Sequence, residues 1–149
     1  MRELVHGTCV ALGNNAALLR GDSGCGKSDL ALRFLALPGD GELRPALVAD
    51  DQVWVEGRGD GLAIASVPDT IGGMIEVRGL GIAEMPFLAE AALVLVCDLV
   101  DAGAVPRMPL DPWERTVLAG VSIPSLKLSA FEVSAPLKLK MALLQVPEQ

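Results

Sequence analysis

The eight residues Gly21-Asp22-Ser23-Gly24-Cys25-Gly26-Lys27-Ser28 read G-x-x-x-x-G-K-S, and they constrain this chain more than any other segment. A loop so rich in glycine can curl until its backbone N–H groups converge on one point. It keeps that shape only if both ends are anchored. Ala16 to Leu19 is an apolar strand candidate leading into it, and from Lys27 the pattern turns helical, with Leu30, Phe34 and Leu37 on one face. In this strand–loop–helix order the loop donors and the positive helix end face the same place. Lys27 puts a cation on β- and γ-phosphates, and Ser28 offers a hydroxyl to Mg²⁺. The segment predicts a nucleoside triphosphate site.

The rest of the chain reads as one mixed α/β domain, with 149 residues and an apolar half large enough for a single core. Thr8 to Leu12 is a strand, Gly13-Asn14-Asn15 a turn, and Pro38-Gly39-Asp40-Gly41 stops the first helix. Ala46 to Ala49 is a short strand. Val53 to Val55 and Leu62 to Ala65 flank a turn at Gly57 to Gly61, and Met74 to Val77 leads into a loop at Arg78 to Gly81. Leu93 to Val96 has the look of a strand buried on both faces. Val105 to Trp113 reads as a Pro-rich surface connection and Ala135 to Gln145 as a terminal helix. A net charge of −7 argues against a nucleic-acid partner, whose phosphates need clustered cations. No apolar stretch is long enough to span a membrane, no targeting segment is visible, and Cys9, Cys25 and Cys97 fit neither a metal nor a disulfide framework. A reduced cytoplasm is the expected setting.

A phosphate loop of this kind requires a carboxylate for its metal, usually at a neighbouring strand end. Asp50-Asp51 closes the strand at Ala46 to Ala49. Successive strand residues face opposite ways, so at most one of the two aims at the phosphates unless the strand bends. Asp98, closing Leu93 to Cys97, is the rival on pattern alone. Asp69-Thr70-Ile71-Gly72 matches the D-x-x-G of a GTPase switch, but no N-K-x-D follows. The G-x-G at Gly79 to Gly81 is too short for a dinucleotide fingerprint. His6 is the sole histidine, either structural or able to hydrogen-bond a reacting phosphate.

Four segments together resemble the catalytic domain of the HPr kinase/phosphorylase family: His6-Gly7, the phosphate loop, Leu47-Val48-Ala49-Asp50-Asp51, and Ile75-Glu76-Val77-Arg78-Gly79-Leu80-Gly81-Ile82. That family phosphorylates a serine on HPr-type phosphocarriers of the sugar phosphotransferase system. The likeness is strong from Val5 to Ile82 and weaker to Leu144. It implies a P-loop kinase domain with a mixed central sheet flanked by helices and hairpins, using ATP and Mg²⁺. It implies that Lys27 and Ser28 hold phosphate and metal, that Glu76 is a second metal-linked acid, and that Asp50 or Asp51 is the base for the acceptor serine. His6 would assist at the phosphate, Arg78 belongs to the signature segment, and Arg107 falls at the family's catalytic arginine, with Arg115 the alternative.

The sequence also departs from the family. By that likeness it is expected to lack the N-terminal domain of longer members, and about six extra residues separate the phosphate-loop helix from Asp50, around Pro38 to Pro45. Lys127 to Val133 replaces a basic, glycine-containing loop that the bifunctional members use for dephosphorylation. The resemblance therefore implies a kinase of an HPr-like partner with weak or absent phosphorylase activity, and a homo-oligomer is among the states open to it. The alternative is a nucleotide-sensing module that transfers nothing.

Overall fold

A computed structural model describes residues 1–69 and 71–147. Eleven strands and two helices follow in the order β1 (Arg2–His6), β2 (Thr8–Leu12), β3 (Asn15–Arg20), α1 (Lys27–Leu35), β4 (Pro45–Ala49), β5 (Gln52–Gly57), β6 (Ala63–Ser66), β7 (Met74–Val77), β8 (Gly81–Glu84), β9 (Glu90–Leu99), β10 (Arg115–Leu118), β11 (Val121–Leu128) and α2 (Ala135–Gln145). The main sheet runs β1-β5-β6-β9-β3-β2-β4, and β10 joins it through β11. The long strand β9 shares one edge between two partners: β6 pairs with residues 90–92 and β11 with residues 96–99. β3, β9 and β11 are mutually parallel, whereas the other pairings are antiparallel. The loops after β3 and β11 therefore leave the sheet at the same end, the carboxyl end of the parallel strands.

Both faces of this sheet are covered. On one, α1 and α2 bury Leu30, Phe34, Leu139 and Leu143 against Val10, Leu19, Leu47 and Leu95. On the other, the sheet curls back on itself, so that its own strands β5, β6 and β11 bring Val53, Val55, Ala65 and Ile123 against Leu18, Val48 and Val96. Two bulges set which residues face which layer. Val94 is the extra residue where Ala16 and Ala17 pair with Leu93 and Leu95. Leu93 consequently joins the second core and Leu95 the helical one, although residues two apart normally share a face. Val48 is likewise extra between Leu47 and Ala49 opposite Val10 and Cys9.

Most expected elements stand close to their expected bounds, and α2 coincides with its own. The loop at Arg78 to Gly81 is instead the tight turn of a β7–β8 hairpin, because residues 81–84 pair back on residues 74–77. Asn15 belongs to β3 rather than to the turn. Lys127 and Leu128 are strand residues of β11, so only residues 129–134 form the following loop. Strands β1, β8, β10 and the first part of β11 are too polar, too short or too interrupted by proline to stand out by period. Among the described residues no helix is long and apolar enough to cross a membrane.

The three cysteines differ in environment. Cys9 and Cys97 are fully buried, and Cys25 is half-buried in the phosphate loop. Burial, helped by the Asp98 charge next to it, pushes the Cys97 thiol up to about 12, and burial alone pushes Cys9 up as well. Thiolate is the reactive form. Alkylation of the native protein near neutral pH should therefore label Cys25 alone, and all three should label in denaturant; intact mass measures both.

Candidate functional site

The phosphate loop spans the end of β3 and the start of α1. Gly26 caps the helix in the left-handed region at φ 94°. A Cβ there would stand 2.9 Å from Ala130 Cβ and 3.1 Å from the Phe131 ring, so only glycine fits both the turn and the approach of the 129–134 loop. The Lys27 ammonium donates to the carbonyls of Gly21 at 3.0 Å and Asp22 at 3.2 Å, and its nitrogen lies 3.7 Å from Cys25 Sγ.

Asp50 is the polar centre beneath the loop. Its Oδ1 accepts from the hydroxyls of Ser28 at 2.8 Å and Thr8 at 2.9 Å, and its Oδ2 accepts from the backbone N–H of Glu76 at 3.0 Å. One buried carboxylate thus ties together α1, β2 and the β7–β8 hairpin. The Val48 bulge explains its direction. By swinging Ala49 to the second core, it turns Asp50 toward the helical face, where Ser28 stands.

Asp51 does the opposite. It is exposed, its φ is 76°, and Gln52 N–H donates across it to the Asp50 carbonyl at 3.0 Å. This three-residue closure at positive φ is the rarer, strained hand of the γ-turn. The Asp51 side chain faces His6, with Oδ1 3.4 Å from Nδ1. His6 is set there by Gly7, whose N–H donates to the Asp51 carbonyl at 2.9 Å. A Cβ on Gly7 would come within 2.7 Å of the Leu19 carbonyl. The chain bends between the two aspartates, and their carboxylates point apart. Asp50 is hydrogen-bonded below the loop, and Asp51 lies exposed in the cleft.

An open cleft of about 810 Å³ brings together His6, the loop residues Ser23, Gly24, Gly26, Lys27 and Ser28, and Asp51, Glu76 and Arg78. Glu76 and Arg78 get there because the hairpin is clamped. Ile75 is buried, Leu88 N–H donates to the Leu47 carbonyl at 2.8 Å, and the Phe87 ring lies against Gly72 and Gly73. The oxygen donors of Ser28 and Asp50 suit Mg²⁺, which takes one or two carboxylates and leaves its other positions to substrate oxygens and water. The exposed Glu76 carboxylate is a further oxygen donor on the cleft wall, with Asp51 and Asp29.

Other expected residues lie elsewhere. Asp98 is the partner of Arg20, 2.7 Å from its Nε, and Arg20 also donates to the Thr116 hydroxyl; this is an ion pair across β3 and β9 and not a carboxylate under the phosphate loop. Arg107 is exposed on the Pro-rich connection and is not among the cleft residues. Arg115 donates to Ser122 on the neighbouring strand. Lys127 pairs with Glu114, and Glu132 with Lys138. The D-x-x-G at 69–72 includes Thr70, which lies outside the described residues. Sequence reasoning missed Thr8, which has no motif around it, and Phe131.

The strain at Asp51 is measurable. Asp51→Gly should leave stability unchanged or raise it by up to about 1 kcal/mol. Asp51→Val, branched at a left-handed position, should lower it by about 1–2 kcal/mol. Urea denaturation of the two variants against the parent checks the difference, and equal midpoints would contradict the strained turn.

The profile of the HPr Serine kinase C-terminal domain matches residues 1–96. The HPr kinase/phosphorylase of Clostridium tetani is 35% identical over 111 residues, covering 74% of this chain and 33% of that protein. The HPr kinase/phosphorylase of Chlorobium limicola is 31% identical over 137 residues, covering 89% and 38% respectively. The chain thus spans about a third of the length of these curated relatives. The HPr(Ser) kinase/phosphatase of Coxiella burnetii superposes with a TM-score of 0.77 at 19% identity, over 93% of this chain and 87% of that one, and so shares the fold. With the phosphate loop, Asp51 and the β7–β8 hairpin converging on one cleft and the family profile matching residues 1–96, the chain belongs to the HPr kinase C-terminal domain family.

Proposed function

We propose that residues 1–149 act as one catalytic domain, an ATP-dependent serine kinase whose substrate is an HPr-type phosphocarrier in the cytoplasm. The observation that carries this reading is the division of labour between neighbouring aspartates. Asp50 is hydrogen-bonded to the phosphate-loop serine, where a metal-holding carboxylate belongs, and Asp51 is exposed in the cleft, where an acceptor hydroxyl can reach it.

In this reading Lys27 exchanges its contacts with the Gly21 and Asp22 carbonyls for phosphate oxygens. Ser28, Asp50 and Glu76 hold Mg²⁺, which when bound supplies charge neutralisation on the phosphates. Asp51 accepts the serine proton, and His6 beside it fixes the direction of its carboxylate. Asp51, not Asp50, is the base, because all the hydrogen bonds to Asp50 draw it beneath the loop. Positioning carries most of the rate, since phosphoryl transfer asks little covalent chemistry of the protein. Arg78, on the hairpin at the cleft edge, is placed to meet an acidic or phosphorylated reactant.

The same cleft disfavours the reverse reaction. Dephosphorylation brings inorganic phosphate against a phosphoserine, and two anions in one site need additional cations. The cleft residues include two cations, Lys27 and Arg78, against three carboxylates, Asp29, Asp51 and Glu76. Lys127 and Lys138 are engaged by Glu114 and Glu132.

Three variants and one reverse assay test this. With ATP, Mg²⁺ and a purified HPr-type carrier, Lys27→Ala should abolish transfer. Asp51→Asn should lower turnover by roughly 10²–10⁴-fold with nucleotide affinity unchanged, and Glu76→Gln should raise the Mg²⁺ requirement. Retention of full turnover by Asp51→Asn would overturn the assignment of the base. Supplied with serine-phosphorylated carrier and millimolar phosphate, the protein should release pyrophosphate far more slowly than it phosphorylates; comparable rates would contradict the asymmetry. A protein that binds ATP and leaves every carrier unmodified would instead be a nucleotide-sensing module.

A further inference from the structure

We propose that Phe131 is the platform on which the base of the bound nucleotide stacks. The site would then recognise its base by the aromatic face and accept several bases. The proposal rests on the reading of the cleft as a nucleoside triphosphate site, and it names the subsite for which the phosphate loop makes no provision.

Phe131 is 70% exposed and lines the cleft beside Gly26, with ring carbons 3.1 Å from the position of a Gly26 Cβ. Among the described residues it is the only phenylalanine or tryptophan that lines the cleft. Phe34 is fully buried, and Phe87 packs on the glycines before β7. The location follows from topology. The phosphate loop follows β3, and the 129–134 loop follows β11, which is parallel to β3 through β9. Ligands of parallel sheets bind outside the carboxyl ends of the strands, and both loops stand there.

What separates Phe131 from a stray surface side chain is how its backbone is held. Arg33, on the phosphate-loop helix itself, donates to the carbonyls on both sides of it, Ala130 and Glu132. Asp29 holds the Arg33 guanidinium at 3.0 Å, and Glu132 is further fixed by Lys138 at 2.5 Å. The backbone that carries the ring is thereby held relative to the phosphate cradle, so base and phosphates of one ligand meet one frame. Ordering the segment beforehand removes that cost from binding. Every base has a π-face, so a stacking platform tolerates base identity and favours larger rings.

Calorimetric titration with ATP, CTP and inorganic tripolyphosphate, all with Mg²⁺, separates base from phosphate recognition. Phe131→Ala should weaken ATP about tenfold, within the roughly 5–150-fold that stacking of one base provides, and leave tripolyphosphate unchanged. CTP should bind the parent protein more weakly than ATP, and that preference should shrink in Phe131→Ala. In Phe131→Trp, ATP should quench the new indole and tripolyphosphate should not. Unchanged ATP affinity in Phe131→Ala, or an equal loss for tripolyphosphate, overturns the platform while the phosphate loop stands. Failure of the parent protein to bind either ATP or tripolyphosphate overturns the triphosphate reading and the platform with it.

Discussion

Everything in the cleft depends on the hydrogen bonds converging on Asp50. Ser28 and Thr8 share one carboxylate oxygen, and the Glu76 N–H takes the other, so the phosphate-loop helix, the central sheet and the separate β7–β8 hairpin are held together at one point. Removing one partner from a buried, hydrogen-bonded carboxylate leaves the charge under-solvated, which costs far more than a surface contact does. The apolar layers could pack without this group. With the Ile75 and Phe87 contacts, it ties the hairpin that carries Glu76 and Arg78 to the sheet and the phosphate-loop helix.

The second constraint is the phase of the strands. Side chains alternate along a strand, so a register error of one residue exchanges core and solvent faces. Here the exchange is used twice. The Val94 bulge lets β9 serve the helical core with Leu95 and the opposite core with Leu93, and the Val48 bulge aims Asp50 at the helix side. Neither bulge carries glycine or any other local mark.

The contrast explains what the sequence disclosed. The phosphate loop, α1 and the hairpins around Gly13 and Gly57 to Gly61 were legible because turn chemistry and period are local properties. So was the Asp50-Asp51 pair, because it interrupts an apolar strand. The direction of each aspartate was not legible, since it depends on a bulge and on a strained turn that pairing with β2 and Gly7 imposes. Asp98 passed for a metal-type carboxylate because its real partner, Arg20, lies 78 residues away in sequence and becomes its neighbour only when β3 and β9 pair. Phe131 was illegible for the same reason: nothing near it in sequence belongs to the loop it adjoins.

The Lys27 ammonium is already solvated by its own loop, through the carbonyls of Gly21 and Asp22. An anion arriving there does not meet a bare cation; it takes part in an exchange of acceptors. The net gain is the difference between phosphate oxygens and two well-placed carbonyls, which is smaller than the attraction between isolated charges in water-excluded protein. A single small anion offers little advantage in such an exchange. A polyphosphate, able to engage the lysine, the loop N–H groups and Ser28 together, gains at each contact for one loss of translational freedom. On the triphosphate reading, the self-solvated lysine would act as a valence filter, setting a threshold that favours ligands carrying several linked phosphates over single ones.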